Sequence, residues 1–271
     1  MSFNMINDRG LVLLGCGKMG SAMLAGWLDG GLAPQSIWVK DPFPSDLVSS
    51  QGIHVNETLP KAPAIVLIAV KPQMMAEALP ELAAMGSGAT LFVSVAAGVT
   101  IANYEAILGD QTPIIRAMPN TPAAIGKGIT ALIGNTQVTT AQIEQAETLL
   151  QAVGQTVRLQ SEDQMDAVTG VSSSGPAYVF HLIETLAAAG EGQGLDPTLA
   201  MQLAKATVAG AGALAETADE TPAELRVNVT SPNGTTYAGL EVLMDVKSGL
   251  PPLMAKTVAA ATNRSKELSD G

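Results

Sequence analysis

The chain has 271 residues, 47% hydrophobic, 14% charged and 3% aromatic, with a formal net charge of −11; that length holds one large domain or two, and the acidic balance excludes nucleic acid and acidic membrane surfaces as partners. A single cysteine, Cys16, excludes an internal disulfide and a multi-cysteine metal site, and the scattered His54 and His181 exclude a His-rich one. No apolar run reaches membrane-spanning length and the N-terminus lacks a basic-then-apolar pattern, so a cytoplasmic protein is the expectation.

Gly10 to Leu14 is a short apolar run suited to a buried parallel strand. It leads into Gly15-Cys16-Gly17-Lys18-Met19-Gly20, and a helix is predicted from Ser21 to about Asp29, ending at Gly30-Gly31. This is the strand–turn–helix setting in which G-x-G-x-x-G binds a dinucleotide rather than forming a chance glycine-rich turn. Gly15 permits the tight turn, Gly17 the approach of a pyrophosphate, and Gly20 close helix–strand contact. With Lys18 and Met19 they are the first candidate cofactor contacts. Cys16 sits at a variable position of the motif and needs no redox role.

Ser36 to Lys40 is the second predicted strand, and Asp41 closes it about 20 residues past the glycine loop. An acid there holds the adenine-ribose 2′-OH and favours NAD, whereas Lys40 beside it suits a 2′-phosphate. A turn or capping acid is the alternative reading of Asp41. Ala64 to Val70 is the strongest strand and ends at Lys71-Pro72, with Pro72 acceptable at a helix start. Leu91 to Val95 follows and ends in Ala96-Ala97-Gly98; Pro113 to Ala117 ends in Met118-Pro119-Asn120. Ile129 to Ile133, a helix from about Thr140 to Ala152, and Thr156 to Leu159 complete the alternation. Strands alternating with helices predict a doubly wound α/β sheet. Ligands of such sheets sit at the carboxyl ends of strands, which adds Ala69, Val70, Lys71, Pro72, Ala96, Ala97, Gly98, Pro119 and Asn120 to the cofactor candidates.

A polar break at Ser161-Glu162-Asp163 divides residues 1–160, the predicted dinucleotide-binding domain, from residues 161–271, where only helical patterns occur. Gln164 to Gly170 is one predicted helix. Ser172-Ser173-Ser174-Gly175-Pro176 is a start signal for the next, with a hydroxyl cap and a proline in the first turn. Tyr178, Leu182, Ile183 and Leu186 follow at helical spacing. Asp196-Pro197 opens a helix over Thr198 to about Thr217, which contains Ala209-Gly210-Ala211-Gly212-Ala213. Small residues on every face predict burial, most economically against a second copy of the chain. Thr230-Ser231-Pro232-Asn233-Gly234-Thr235-Thr236 then builds a turn. Thr235 or Thr236 caps a helix running through Leu240 and Leu243. A helix start with unpaired N–H groups and hydroxyls but no Lys or Arg suits a small carboxylate, a plain helix–turn–helix connection being the alternative.

The order of these pieces resembles pyrroline-5-carboxylate reductase over almost the whole length. The matching segments are the glycine loop, Ala69 to Gln73, Ser94 to Val99, Arg116 to Pro122, Val171 to Tyr178, and Thr230 to Thr236; the last two are specific to that family. The resemblance implies a Rossmann domain followed by an all-helical dimerisation domain, a homodimer, and in some members rings of dimers. It implies reduction of 1-pyrroline-5-carboxylate to L-proline, the last step of proline biosynthesis, with hydride from NADPH, NADH remaining open. The loop 231–236 would hold the substrate carboxylate through backbone N–H groups and the Ser231 and Thr236 hydroxyls, with Asn233, Gly234 and Thr235 shaping it. Thr236 is the candidate catalytic residue, bonding the ring nitrogen. Ser174 lines the same pocket or caps its helix.

The chain departs from that pattern at Asn233 and Ser173, where the family usually has Gly, and at Val227, where an acid is common. If either backbone φ is positive, Asn is little affected and Ser more so. Two other functions stay open at this point. A β-hydroxyacid dehydrogenase needs a Lys with Asn four residues on; Lys205 is followed at that spacing by Ala209. A non-catalytic dinucleotide sensor is kept open by Asn233 and Ser173.

Overall fold

A computed structural model describes residues 3–45, 48 and 51–270. β1 (Leu11–Leu14), β4 (Ile65–Ile68) and β5 (Leu91–Ser94) are buried at every position. Strands covered on both faces need apolar side chains throughout, which is why these segments read as nearly unbroken Val/Ile/Leu runs. β2 (Ile37–Lys40) alternates, burying Ile37 and Val39. β3 (His54–Val55), β6 (Ile114–Met118), β7 (Gly128–Gly134) and β8 (Gly154–Arg158) complete the sheet. The strand order is β3-β2-β1-β4-β5-β6-β7-β8. All pairings through β6 are parallel, β7 is antiparallel to β6, and β8 is parallel to β7. The first six strands thus have the Rossmann order, with the direction of winding reversing between β1 and β4.

Helices cover both faces, as a doubly wound sheet requires. α1 (Asn4–Arg9) precedes the sheet. α2 (Lys18–Asp29) buries Met23, Leu24 and Trp27 on one face. α3 (Met75–Ala78) and α4 (Ile101–Leu108) lie on the other, where Ile101, Tyr104 and Leu108 form one stripe of α4. α5 (Thr140–Leu150) starts at a Thr139–Gln142 capping box and accepts the Trp27 indole N–H at its Leu149 carbonyl, 2.8 Å away. It stops short of the expected Ala152, because residues 151–153 tighten into a 3₁₀ turn before β8.

The chain divides into two compact units, Met1–Ser173 with Thr262–Gly271, and Ser174–Ala261. Residues 162–173 count with the sheet because they are fastened to it. Glu162 pairs with Arg116 of β6 at 2.7 Å. The predicted helix here is α6 (Met165–Val168), which runs into a π-helical turn at Thr169–Ser173. Asp166 Oδ1 accepts a 2.6 Å hydrogen bond from the hydroxyl of buried Ser265, near the end of α11 (Leu250–Asp270).

The second unit holds α7 (Gly175–Gly192), α8 (Pro197–Thr217), α9 (Pro222–Asn228), α10 (Thr235–Leu243) and the start of α11. α8 opens as expected, with Asp196 accepting from the N–H groups of Thr198 and Leu199. Its buried core is three alanines, Ala187, Ala200 and Ala204, with Ile183 and Met201 packed against them. By contrast Phe180, Leu203, Leu214, Val242 and Val246 are exposed. The stretch 209–213, expected to be buried, is exposed in the single chain, and a Cβ added at Gly210 or Gly212 meets nothing within 4 Å. α7 covers the Ala200–Ala204 side of α8, and among the described residues nothing covers these glycines. Among the described residues no helix is long and apolar enough to cross a membrane.

Candidate active site

The glycine loop has the geometry its sequence predicts. Gly15 has φ +87°, and a Cβ there would lie 2.8 Å from Val70 Cγ1 and 2.9 Å from Val70 N, so no side chain fits. A Cβ on Gly20 would lie 2.5 Å from the Gly15 carbonyl oxygen, which fixes how closely α2 approaches β1. Gly17, by contrast, has nothing within 4 Å of that position. It is the N-cap of α2, so no side chain caps the first turn, Lys18 to Gly20. An uncapped helix start behind a glycine suits an anion such as a pyrophosphate.

Asp41 is anchored on both oxygens. Oδ2 accepts a 2.6 Å hydrogen bond from Cys16 N, and Oδ1 accepts one of 2.7 Å from Phe43 N. The turn reading is therefore realised, and the same carboxylate fastens β2 to the glycine loop. Asn56, with φ +54°, holds the other side of Asp41: its Oδ1 accepts from Asp41 N at 3.0 Å and its Nδ2 donates to Asp41 O at 2.8 Å. Sequence reasoning passed over Asn56, since an isolated Asn gives no sign of its partner. Lys40 Nζ pairs with Glu81 at 2.8 Å; so exposed a pair contributes under about 1 kcal/mol and leaves Lys40 available to a competing anion. Burial pushes the Cys16 thiol up, Asp41 adds to the rise, and the Ser21 hydroxyl opposes it.

The carboxyl ends of β4, β5 and β6 lie along the same edge of the sheet. Ala69 N donates to Leu14 O at 2.8 Å, joining the end of β4 to the glycine loop, and Val70 follows it, half-buried. Lys71 caps a short 3₁₀ turn that begins at Pro72, and both are exposed. Ala96 is buried, Ala97 exposed, and Gly98 takes φ +74° with its Cβ position 3.3 Å from Leu268 O. Pro119 is buried, and its carbonyl accepts from the Ser173 hydroxyl at 3.2 Å. Asn120 Oδ1 accepts from Ile129 N at 3.0 Å, and its Nδ2 lies 3.4 Å from the Ser172 oxygens. Ser173 is not among the residues with positive φ, so it bears no strain where the family has Gly. Arg116, Tyr104, Ser94 and Glu162 form a polar cluster beneath this edge that sequence reasoning missed. A lone arginine in the otherwise apolar run Ile114 to Met118 was the available signal.

The other candidates lie in the second unit. Gly234 N donates to Ser231 O at 3.0 Å, with Pro232 and Asn233 (φ +56°) between them, the pattern of a type II turn. Asn tolerates this left-handed conformation, so the departure from Gly preserves the backbone. The helix start differs from expectation: the N-cap of α10 is Gly234, without a side-chain cap. Extended backbone at Gly234 brings the chain into the helix one residue early. Thr235 and Thr236 therefore lie inside the first turn, both exposed, and neither caps the helix. Ser174 is also not a side-chain cap, because the π-helical turn leads directly into α7 and holds Ser174 at helical angles. A cavity of about 370 Å³ beside the loop is lined by Arg226, Val227, Thr230, Tyr237, Leu240, Glu241 and Met244.

A family model described as pyrroline-5-carboxylate reductase dimerisation matches residues 162–268, and one described as NADP oxidoreductase coenzyme F420-dependent matches residues 11–98. The pyrroline-5-carboxylate reductase of Pseudomonas aeruginosa is 40% identical over 266 residues, covering 96% of this chain and 97% of the relative. That of Synechocystis sp. is 40% identical over 265 residues, covering 95% and 97%. A solved pyrroline-5-carboxylate reductase from Coxiella burnetii superposes with a TM-score of 0.91 at 35% identity, covering 96% of this chain and 98% of that one. A Plasmodium falciparum pyrroline carboxylate reductase, solved with NADP bound, gives 0.83 at 26% identity over 97% and 99%.

Proposed function

The chain belongs to the pyrroline-5-carboxylate reductase family, and we propose that it reduces 1-pyrroline-5-carboxylate to L-proline with hydride from NADPH, NADH serving as a second donor. The observation that carries the reading is the loop Ser231 to Thr236. Asn233 adopts the left-handed conformation that a glycine would supply, and the first turn of α10 has no side-chain cap. The two departures that kept a sensor open therefore leave the backbone unstrained. Lys205 is exposed and followed by Ala209, which leaves the hydroxyacid dehydrogenase without its residue pair.

The glycine loop fits a dinucleotide: the open α2 start and the free space at Gly17 suit the pyrophosphate, and the strand ends from Ala69 to Pro72, Ala96 to Gly98, and Pro119-Asn120 would flank the rest. When bound, the dihydronicotinamide supplies the hydride received by the imine carbon, C5. The chain's own task is to orient that carbon and exclude water, since a protonated imine is already electrophilic. In this reading N–H groups at the start of α10, with the Ser231 and Thr236 hydroxyls, hold the substrate carboxylate, and Thr236 also bonds the ring nitrogen. Ser174 lines the substrate pocket. Residues 1–160 carry the dinucleotide function; residues 161–271 carry substrate binding and association. The exposed apolar side chains of the second unit are covered by a second copy in a homodimer, which further association extends to a ring. We place the protein in the cytoplasm.

Purified protein should oxidise NADPH only when 1-pyrroline-5-carboxylate is added, and reduce NAD(P)+ with thiaproline. Turnover of 3-hydroxyacids would indicate the dehydrogenase instead, and inertness toward both a sensor. Cofactor choice turns on Asp41, whose charge repels a 2′-phosphate. A like-charge contact at about 4 Å in water is worth about 1 kcal/mol, so Asp41→Ser is expected to shift the NADPH-to-NADH ratio of kcat/KM about fivefold toward NADPH. An unchanged ratio would remove Asp41 from the ribose.

A further inference from the structure

The loop that carries Ala96, Ala97 and Gly98 rests on a buried polar cluster. At its start, Ala96 N donates to Ser94 Oγ at 3.2 Å, and that hydroxyl shares a 2.5 Å hydrogen bond with the hydroxyl of Tyr104. At its end, Ile101 N, in the first turn of α4, donates to Glu162 Oε1 at 2.9 Å. The same carboxylate oxygen accepts from Arg116 Nη1 at 2.7 Å. Arg116 stands opposite Ser94 in the pairing of β5 with β6 and is only 3% exposed. Its Nε and Nη2 are buried and have no hydrogen-bond partner among the described residues. Glu162 is its one ion-pair partner there. Burial raises the Tyr104 hydroxyl to about 12, against the opposing pull of Ser94 and of the Arg116 charge, so it stays a neutral hydrogen-bonding group at working pH.

A buried arginine with one acidic partner is an expensive way to fill a core, because an apolar pair of the same volume does so without desolvating two charges. What the apolar pair cannot do is accept the Ile101 N–H. Glu162 accepts that N–H together with the guanidinium, and so fixes where α4 begins and where the loop before it must lie. We propose that Arg116 and Glu162 are positioning residues for the dinucleotide, holding the Ala96–Gly98 loop at the height the nicotinamide end requires. This rests on the reductase reading above.

The test uses the full-length protein and two sets of variants. In Glu162→Gln an acceptor for Ile101 N remains but Arg116 loses its counter-charge. In the double variant Arg116→Met with Glu162→Leu the charges go together, which is commonly neutral or favourable for stability, while the tie to Ile101 N is lost. NADPH affinity is read by fluorescence titration, stability by thermal melting, and the KM for 1-pyrroline-5-carboxylate by steady-state rates. The expected result is a melting temperature near wild type in the double variant with NADPH binding weakened about tenfold, and a substrate KM within about twofold of wild type. A double variant that folds and binds NADPH as tightly as wild type would overturn the proposal and leave the pair a core filler. Should the double variant not fold, Glu162→Ala, which removes the acceptor for Ile101 N, decides by the same titration against Glu162→Gln, which keeps it. NADPH binding weakened in Glu162→Ala and retained in Glu162→Gln, with an unchanged substrate KM, supports the proposal, and equal binding in the two overturns it. The reductase reading fails separately, in a wild-type protein that binds no NADPH at all.

Discussion

Replacing Thr236 by valine is expected to lower kcat/KM for 1-pyrroline-5-carboxylate by about one to two powers of ten and to leave NADPH affinity unchanged. A hydrogen bond to a charged group contributes roughly 1.5–3 kcal/mol, and each 1.36 kcal/mol is about tenfold in rate. Thr236 is well suited to this test. It lies in the first turn of α10, exposed, at a helix start with no side-chain cap. Valine keeps the β-branched shape, so the substitution removes a hydroxyl and little else. If Thr236 holds ground and transition states equally, KM rises and kcat holds; if it also bonds the ring nitrogen as charge leaves it, kcat falls too. Asn233→Gly is expected to be tolerated, since glycine takes φ +56° freely, and to tighten substrate binding if anything. Unchanged kcat/KM with weakened NADPH binding in Thr236→Val would mean that this loop holds a different ligand.

Gly210→Leu is expected to abolish both the dimer and the activity. In the single chain a Cβ at Gly210 meets nothing within 4 Å, and leucine is a better helix former than glycine by roughly 1 kcal/mol. A monomer should therefore accept the substitution or gain from it. The harm expected comes from a second copy packed closely on this stretch of α8, through overpacking that typically costs about 1–3 kcal/mol at each copy. Sedimentation and activity measured on the same samples check this. A Gly210→Leu protein that remains a fully active dimer, or a wild-type protein active as a monomer at dilution, would refute the interface.

Much of the sheet was legible because buried parallel strands demand apolar residues at every position, and Leu11 to Leu14 or Ile65 to Ile68 satisfy nothing else. β3 was not, since His54 and Val55 are too few to show a period. α1 escaped for the same reason, with Ile6 alone buried. The need for glycine at Gly15 and Gly20 was legible, because each is forced by a distance of closest approach. Side-chain bonds across the sequence were not. That Asp41 reaches Cys16 N, that Glu162 reaches Arg116, or that Ser173 reaches Pro119 depends on loop paths that local propensity does not set. The capping roles expected of Ser174, Thr235 and Thr236 failed together, since hydroxyls near a helix start are common to caps and to interior first-turn positions alike.

The first compact unit closes on residues from Thr262 onward, and this imposes an order of events during synthesis. Strands β1 to β8 leave the ribosome early, and domains commonly fold as they emerge. Yet Ser265, which donates to Asp166, and the Leu268 carbonyl beside Gly98 are made only after the whole of Ser174–Ala261 has been translated. The sheet can therefore form on the nascent chain while the wall next to Gly98 stays unfinished until the intervening helices exist. A translation product that stops before Ser265 would therefore carry the sheet without the tie at Asp166 and without the close approach at Gly98.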